Sequence, residues 1–225
     1  MVKVCIISGI VIAAWLIYAF IPSKVLKGRY YKREKDSSKT LYLTFDDGPD
    51  SKYTEQLLDL LKAHNIRATF FTVVKSAMEN ESIINRMVRE GHVIGVHSYN
   101  HMSAMIEGPL KTKLEIEQAQ NGLKKLGIDA KLFRSPWGHT NLYQSYLLKK
   151  YGYKHVFWDV MAEDWEGKTT SNNIKMKLLH RVGAGDIICL HDARGENEAP
   201  SRTIKALGSM LPYWLDQGYE FKVME

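Results

Sequence analysis

Short apolar runs alternate with longer amphipathic ones through most of the chain, the pattern of a domain built from repeated βα units. Strands are predicted at residues 41–45, 68–74, 93–97, 131–134, 155–160, 186–191 and 219–223. Between them, helical spacing of apolar positions predicts helices near residues 53–64, 81–90, 110–126, 142–151, 172–182 and 204–217. The polar residues that break this pattern are not scattered. Asp46 and Asp47, His97, Arg134 and His191 each stand at or just past the C-terminal end of a predicted strand. In β/α barrels that rim is where active sites assemble.

The first 35 residues follow a different pattern. Residues 4–21 form an uncharged run that, at ~1.5 Å per residue, reaches across most of a ~30 Å hydrocarbon layer. No small-x-small cleavage pattern follows the run, so the expectation is an uncleaved single-pass anchor in the cell membrane. The chain then divides into an anchor with a basic linker, residues 1–35, and one catalytic domain, residues 36–225. A domain of that length buries a sizeable core and leaves no room for a second catalytic unit.

Charge supports this division. The formal net charge is +6, and all of it lies in the anchor, where Lys3, Lys24, Lys27, Arg29, Lys32, Arg33 and Lys35 face the single acid Glu34. The remainder is neutral, which argues against a nucleic-acid partner and fits a basic segment beside anionic lipid or wall polymer. Orientation is argued both ways. Basic residues after the span favour a cytoplasmic C-terminal domain, whereas Lys3 and the amino terminus favour an extracytoplasmic one, the side expected here. The two cysteines, Cys5 and Cys189, allow no disulfide framework or cysteine-rich zinc site. Cys189 reads as a small packing residue.

Five segments carry chemistry. Thr44-Phe45-Asp46-Asp47-Gly48-Pro49 ends a strand in adjacent carboxylates. Regular alternation would point them apart, and the Gly48-Pro49 turn is expected to let both face a pocket. Such a pair is costly unless a cation or a proton sits beside it. His97-Ser98-Tyr99-Asn100-His101 places two imidazoles one helical turn apart, suited to joint metal coordination. With one Asp oxygen they make a three-ligand set with an open position. Arg134, in Phe133-Arg134-Ser135-Pro136-Trp137-Gly138, offers a two-pronged bond to a carboxylate, and a backbone N–H after Pro136 offers an oxyanion donor. Asp164-Trp165 follows an aromatic strand, and His191-Asp192 ends an apolar one; a carboxylate near His191 favours its imidazolium form. Each segment alone reads equally well as a solvated turn, a surface histidine pair or a structural salt bridge. The remaining histidines, His64, His92, His139, His155 and His180, read as helix-end, loop or strand-start residues.

Taken in this order, the five segments resemble carbohydrate esterase family 4, the NodB-homology polysaccharide deacetylases, over residues 41–223. The resemblance implies an irregular (β/α) barrel of seven or eight strands, here preceded by one transmembrane helix. It implies metal-dependent hydrolysis of N-acetyl groups on a polysaccharide containing N-acetylglucosamine, whether peptidoglycan, a chitin-like oligomer or an exopolysaccharide. By the same resemblance Asp46 is the general base, and Asp47, His97 and His101 hold one divalent metal ion, Zn²⁺ first, with Co²⁺, Ni²⁺ or Mn²⁺ admitted. Arg134 positions the base, Trp137 supplies the oxyanion N–H, Asp164 tunes the acid His191, and Trp165 with Leu190 walls the acetyl methyl. Asp159 is the alternative to Asp164. The family more often has tyrosine at position 137, so Trp137 is a departure. Two other readings are a hydrolase of a lipid-linked or small-molecule amide or formamide on the same fold, and a carbohydrate-binding pseudoenzyme.

Overall fold

A computed structural model describes residues 2–31, 34–35 and 38–225 of the protein. Lys32, Arg33 and Asp36, which carry part of the expected basic cluster and the expected start of the catalytic domain, lie outside the described residues. So do the side chains of Lys3 and Cys5. The apolar N-terminus is helical throughout as α1 (Val2–Trp15), a π-helical turn (Leu16–Phe20) and α2 (Ile21–Tyr31). Within it Ile6–Tyr31 is long and apolar enough to cross a membrane.

The predicted alternation is present as β1 (Thr40–Asp46), α3 (Thr54–Ala63), β2 (Thr69–Thr72), α4 (Val74–Glu79), α5 (Glu81–Arg89), β3 (Val93–Val96), α6 (Pro109–Lys125), β4 (Leu132–Phe133), α7 (Leu142–Lys150), β5 (Lys154–His155), β6 (Val160–Met161), α8 (Ser171–Arg181), β7 (Ile187–His191), α9 (Ala199–Asp216) and β8 (Glu220–Phe221). All strand pairs are parallel, in the order β5-β4-β3-β2-β1-β7-β6, with β8 on the beginning of β1. The sheet curls into a half-barrel.

The strand expected at residues 155–160 is two strands on opposite edges of the curl. Val156 donates its N–H to the Phe133 carbonyl, and Asp159 donates to that of Ile187. The segment between them therefore joins the two edges of the sheet covalently. Local sequence reads it as one apolar run, because both edges need apolar residues. α9 begins five residues earlier than expected, since Pro200 sits in its first turn, where a missing N–H costs nothing.

Period-two alternation sorts the strands into two layers. Leu43, Phe45, Phe70, Ile94, Val96, Phe133, Ile188 and Leu190 face the helices and form the main core. Phe71, Leu132, Val156, Ile187 and Met224 fill the inside of the curl. Thr44, Asp46, Cys189 and His191 lie on this inner face, further toward the strand ends, and are paired in register as Thr44 with Cys189 and Asp46 with His191.

The N-terminal helix does not stand clear of this fold. Ser23 Oγ donates to the Thr140 carbonyl and accepts from the Thr140 N–H, both at 2.8 Å. Lys27 Nζ donates to the Trp137 carbonyl at 3.2 Å, and Tyr30 donates to the Phe157 carbonyl at 3.2 Å.

Candidate active site and metal centre

β1 delivers Asp46 to the inner face by simple alternation. Asp47 would point the other way, but its backbone is left-handed, with φ 79°, and the second carboxylate turns to the same side. Aspartate tolerates that conformation better than most residues. The divergence is thus resolved at Asp47 itself rather than by the Gly48-Pro49 turn that the sequence pointed to. Gly48 is needed for a different reason. A Cβ there would lie 2.1 Å from Asp192 Oδ2, and Asp192 must come this close to accept from the Gly48 N–H and from Thr54 Oγ1.

His97 and His101 leave β3 on a loop, not on the helical turn their spacing implied. Ser98 and His101 both have positive φ, at 65° and 59°. Ser98 Oγ accepts the His101 N–H at 2.7 Å. Buried Glu115 of α6 accepts from the N–H groups of Tyr99 and Asn100 and from the Asn100 side chain. Ser98 and Asn100 therefore shape the loop between the two imidazoles.

His97 Nδ1 lies 2.7 Å from the Arg134 carbonyl oxygen. A carbonyl only accepts, so Nδ1 carries the proton and Nε2 presents a lone pair. Burial lowers the pKa of His97, despite the nearby carboxylates of Asp46 and Asp47, and keeps the ring neutral. Asp47 Oδ1 is 3.5 Å from His97 Nε2 and 2.9 Å from His101 Nε2. Burial alone would raise the Asp47 pKa, but the surrounding imidazoles of His101, His97 and His191 hold it well below the usual carboxylate range. That oxygen is buried, with no hydrogen-bond donor aligned on it. The ligand atoms of Asp47, His97 and His101 all lie within 4.8 Å of one another. Two imidazole nitrogens and an unsatisfied carboxylate oxygen converging in a buried spot fit one divalent cation, and the N/N/O donor set suits zinc or cobalt.

Arg134 is fully buried. Its fork is divided instead of gripping one carboxylate with two prongs. Nη1 donates to Asp46 Oδ1 at 2.8 Å and Thr44 Oγ1 at 2.7 Å, while Nη2 donates to the Phe157 carbonyl at 3.1 Å. The guanidinium carbon sits 4.1 Å from the centre of the Phe71 ring. Arg134 therefore joins β1, β2 and the edge-joining segment at one point. Trp137, three residues on, has φ 54° and an exposed ring 4.5 Å from that of His101.

Across the cleft, His191 Nδ1 is 2.9 Å from Asp164 Oδ1, and the His191 N–H donates to Asp164 Oδ2 at 2.9 Å. Thr203 Oγ1 donates to the same Oδ2. Burial works to lower the pKa of His191, but Asp164, with Asp47 and Asp46 further off, overcomes it and raises the value to about 9. Asp164, not Asp192, is the carboxylate on His191. Asp159 is elsewhere, accepting from the Ile187 N–H and pairing with Lys35. The Trp165 ring meets His191 edge-on at 5.2 Å.

Asp46, Asp47, His97, His101, Trp137, Trp165 and His191 line one cleft of about 420 Å³, together with Trp158, Met161, Arg194 and Gly195, while Arg134 and Asp164 are fully buried behind it. Leu190 does not line it, which corrects its expected place on the acetyl wall. It is fully buried in the sheet–helix core, because the residue sharing a face with His191 is two positions back, not one. That residue is Cys189, whose Sγ lies 3.4 Å from Asp46 Oδ2. Counting by two from His191 would have found it in the sequence. Trp158 and Arg194 carried no readable signal, since loop path alone brings them to the cleft, and Met161 reaches it from β6, beside Cys189 of β7.

Among the other histidines, His92 Nδ1 accepts the Ala68 N–H and His155 bonds Ser135. His139 bonds Ser103 beside the cleft.

Residues 33–156 match the model of the polysaccharide deacetylase family. A peptidoglycan-N-acetylglucosamine deacetylase of Bacillus cereus is 34% identical over 188 residues, covering 83% of this chain and 86% of its own length. The crystal structure of a peptidoglycan N-acetylglucosamine deacetylase in complex with 4-naphthalen-1-yl-N-oxidanyl-benzamide matches with a TM-score of 0.79 at 28% identity, covering 84% of this chain and 88% of that one. A family 4 acetyl xylan esterase from Clostridium thermocellum, solved in complex with a cobalt ion, matches with a TM-score of 0.74 at 32% identity, covering 82% of this chain and 87% of that one.

Proposed function

The chain belongs to the polysaccharide deacetylase family, carbohydrate esterase family 4, and hydrolyses N-acetyl amide bonds; from that premise we propose that its substrate is peptidoglycan, deacetylated on N-acetylglucosamine. The Bacillus cereus relative supports the substrate, and the observation that carries the hydrolytic reading is the cleft itself. A carboxylate held by a buried arginine and an imidazole held by a buried carboxylate stand beside a three-donor metal site, with the Asp46 and His191 ligand atoms within 4.8 Å of each other.

Asp47, His97 and His101 would hold a single divalent ion, zinc before cobalt, nickel or manganese, supplying Lewis acidity to the attacking water and the acetyl carbonyl. Asp46, fixed by Arg134, takes the proton of the attacking water. The N–H of Trp137 is the protein's donor to the developing oxyanion. His191, kept protonated by Asp164, gives its proton to the departing sugar amine. Trp165, with Trp158 and Met161, walls the acetyl methyl. Binding alone would need neither Asp46 nor His191 poised in this way, which disfavours a non-catalytic carbohydrate-binding role.

Residues 1–35 are the anchor of a single-pass membrane protein and residues 36–225 its deacetylase domain. A peptidoglycan substrate places that domain outside the cytoplasm, despite the basic residues that follow the span. The full-length protein, purified in detergent, is tested on acetylated peptidoglycan fragments, chitin oligomers and acetylated exopolysaccharide. Acetate release from the first, lost on chelation and restored by zinc or cobalt, is the expected result. Acetate from the other glycans alone would overturn the substrate, and activity indifferent to chelation would overturn the metal.

A further inference from the structure

Trp15 of the N-terminal helix donates its indole N–H to the Met105 carbonyl at 2.9 Å. Together, Ala14, Trp15 and Tyr18 line a shallow groove against Met105, Ile106 and the residues up to Pro109. The loop of the catalytic domain thus rests on the apolar helix at Trp15. The uncharged run continues to Ile21, six residues beyond, or ~9 Å further along the axis at ~1.5 Å per residue. If that run lies in hydrocarbon, the loop lies below its boundary, within the ~5–10 Å depth at which interfacial segments bury their apolar side.

The loop's composition agrees with this placement. Ile106 is 74% exposed and Leu110 87% exposed, and Leu114, one turn on, is also exposed. Lys111 and Lys113 flank these side chains and are exposed, suited to reach anionic headgroups. The loop's one acid, Glu107, is turned inward and buried, and its Oε1 has no hydrogen-bond partner. Burial, with Glu115 nearby, raises its pKa to about 7. The loop is also held at this height by the fold. Asn141 Nδ2 donates to the Ala104 carbonyl at 2.8 Å and to Thr112 Oγ1 at 3.0 Å. Leu142, which follows, is another exposed apolar residue, and α7 packs against the π-helical turn.

We propose that residues 105–110, continued by Leu114, form a second membrane contact through which the catalytic domain sits in the outer zone of an anionic bilayer beside its anchor. This rests on the helix spanning the membrane. The same connection between β3 and α6 carries His97 and His101, so the contact holds the cleft close to the bilayer and toward membrane-proximal glycan.

The test uses the full chain in bilayer nanodiscs containing anionic lipid. Cys5 is replaced by serine, Cys189 is left in place as buried, and single nitroxide labels are placed through Ile10→Cys, Ile106→Cys, Leu110→Cys and Ser209→Cys. Collision with oxygen in preference to a water-soluble nickel chelate reports lipid. Labels at 10, 106 and 110 are expected to favour oxygen, and the label at 209, on exposed α9 surface, to favour nickel. Lipid at 10 with water at 106 and 110 overturns the second contact and leaves the span standing. Water at 10 overturns the span and the contact with it.

Discussion

The Arg134 carbonyl oxygen lies 2.7 Å from His97 Nδ1, while the Arg134 guanidinium donates at 2.8 Å to Asp46. One residue thereby fixes the tautomer of a proposed metal ligand and the orientation of the neighbouring proposed base. Backbone and side chain do separate work. Substitution at 134 removes only the second, because the carbonyl remains.

Arg134→Met tests that separation. Losing one partner of a buried ion pair destabilises by about 3–5 kcal/mol, and freeing Asp46 to shift by an ångström costs about 100-fold in kcat. Metal content is expected to persist, since His97 keeps its carbonyl partner. Calorimetry, turnover and metal analysis check the three effects together. Retained turnover with intact metal would show that Asp46 needs no positioning.

In the proposed mechanism the pair His191–Asp164 sets the basic limit of activity. The folded pKa of His191 is raised above its unfolded value, so the acid form persists as pH climbs and is lost through about 9. Its contribution to stability has the same sense, present in full below about 6.5 and lost as pH rises toward the folded value. Asp164→Asn removes the main raising influence. The basic limb of kcat/KM is expected at lower pH in this variant, with the acidic limb unmoved. An unchanged basic limb would sink His191 as the acid.

On the acid side, His92 and His155 are buried and their pKa values are lowered to about 4, in both cases by burial first. The unfolded chain takes up these protons near 6.5 and the folded chain resists them. Stability therefore falls as pH drops from 6.5 toward 4, by up to about 1.4 kcal/mol per pH unit for each histidine. His155→Gln is expected to remove its own share of this slope, to which His97 and His139, also lowered by burial, contribute in the same sense, measured by denaturant melts of the chelated protein between pH 7 and 4.5. A slope identical to wild type would mean that His155 is already protonated in the fold.

Much of the fold was legible because each strand is an apolar run that ends abruptly in polar residues, as at Phe45-Asp46 and Leu190-His191. The gathering of the candidate residues was legible for the same reason, since the strand ends carry the unusual residues. What escaped was decided at long range or by backbone angle. Residues 156–159 bridge two edges of a curl that no local window contains. Asp47 joins Asp46 through a positive φ that composition does not encode. Glu115 sits in mid-helix, where nothing marks it as the residue that organises the His97–His101 loop. Leu190, placed on the acetyl wall by the resemblance, is turned into the core by strand alternation, as parity from His191 shows.

Asp46 is the residue on which the catalytic reading turns, and Asp46→Asn in the full-length protein tests it most directly. The amide keeps the shape of the side chain and lies outside the Asp47, His97 and His101 donor set. The variant is predicted to bind a divalent ion as wild type does, by metal analysis, while acetate release from peptidoglycan fragments falls by at least about 100-fold, the usual contribution of a general base. Wild-type turnover in the metal-loaded variant would contradict the assignment of Asp46 as the base.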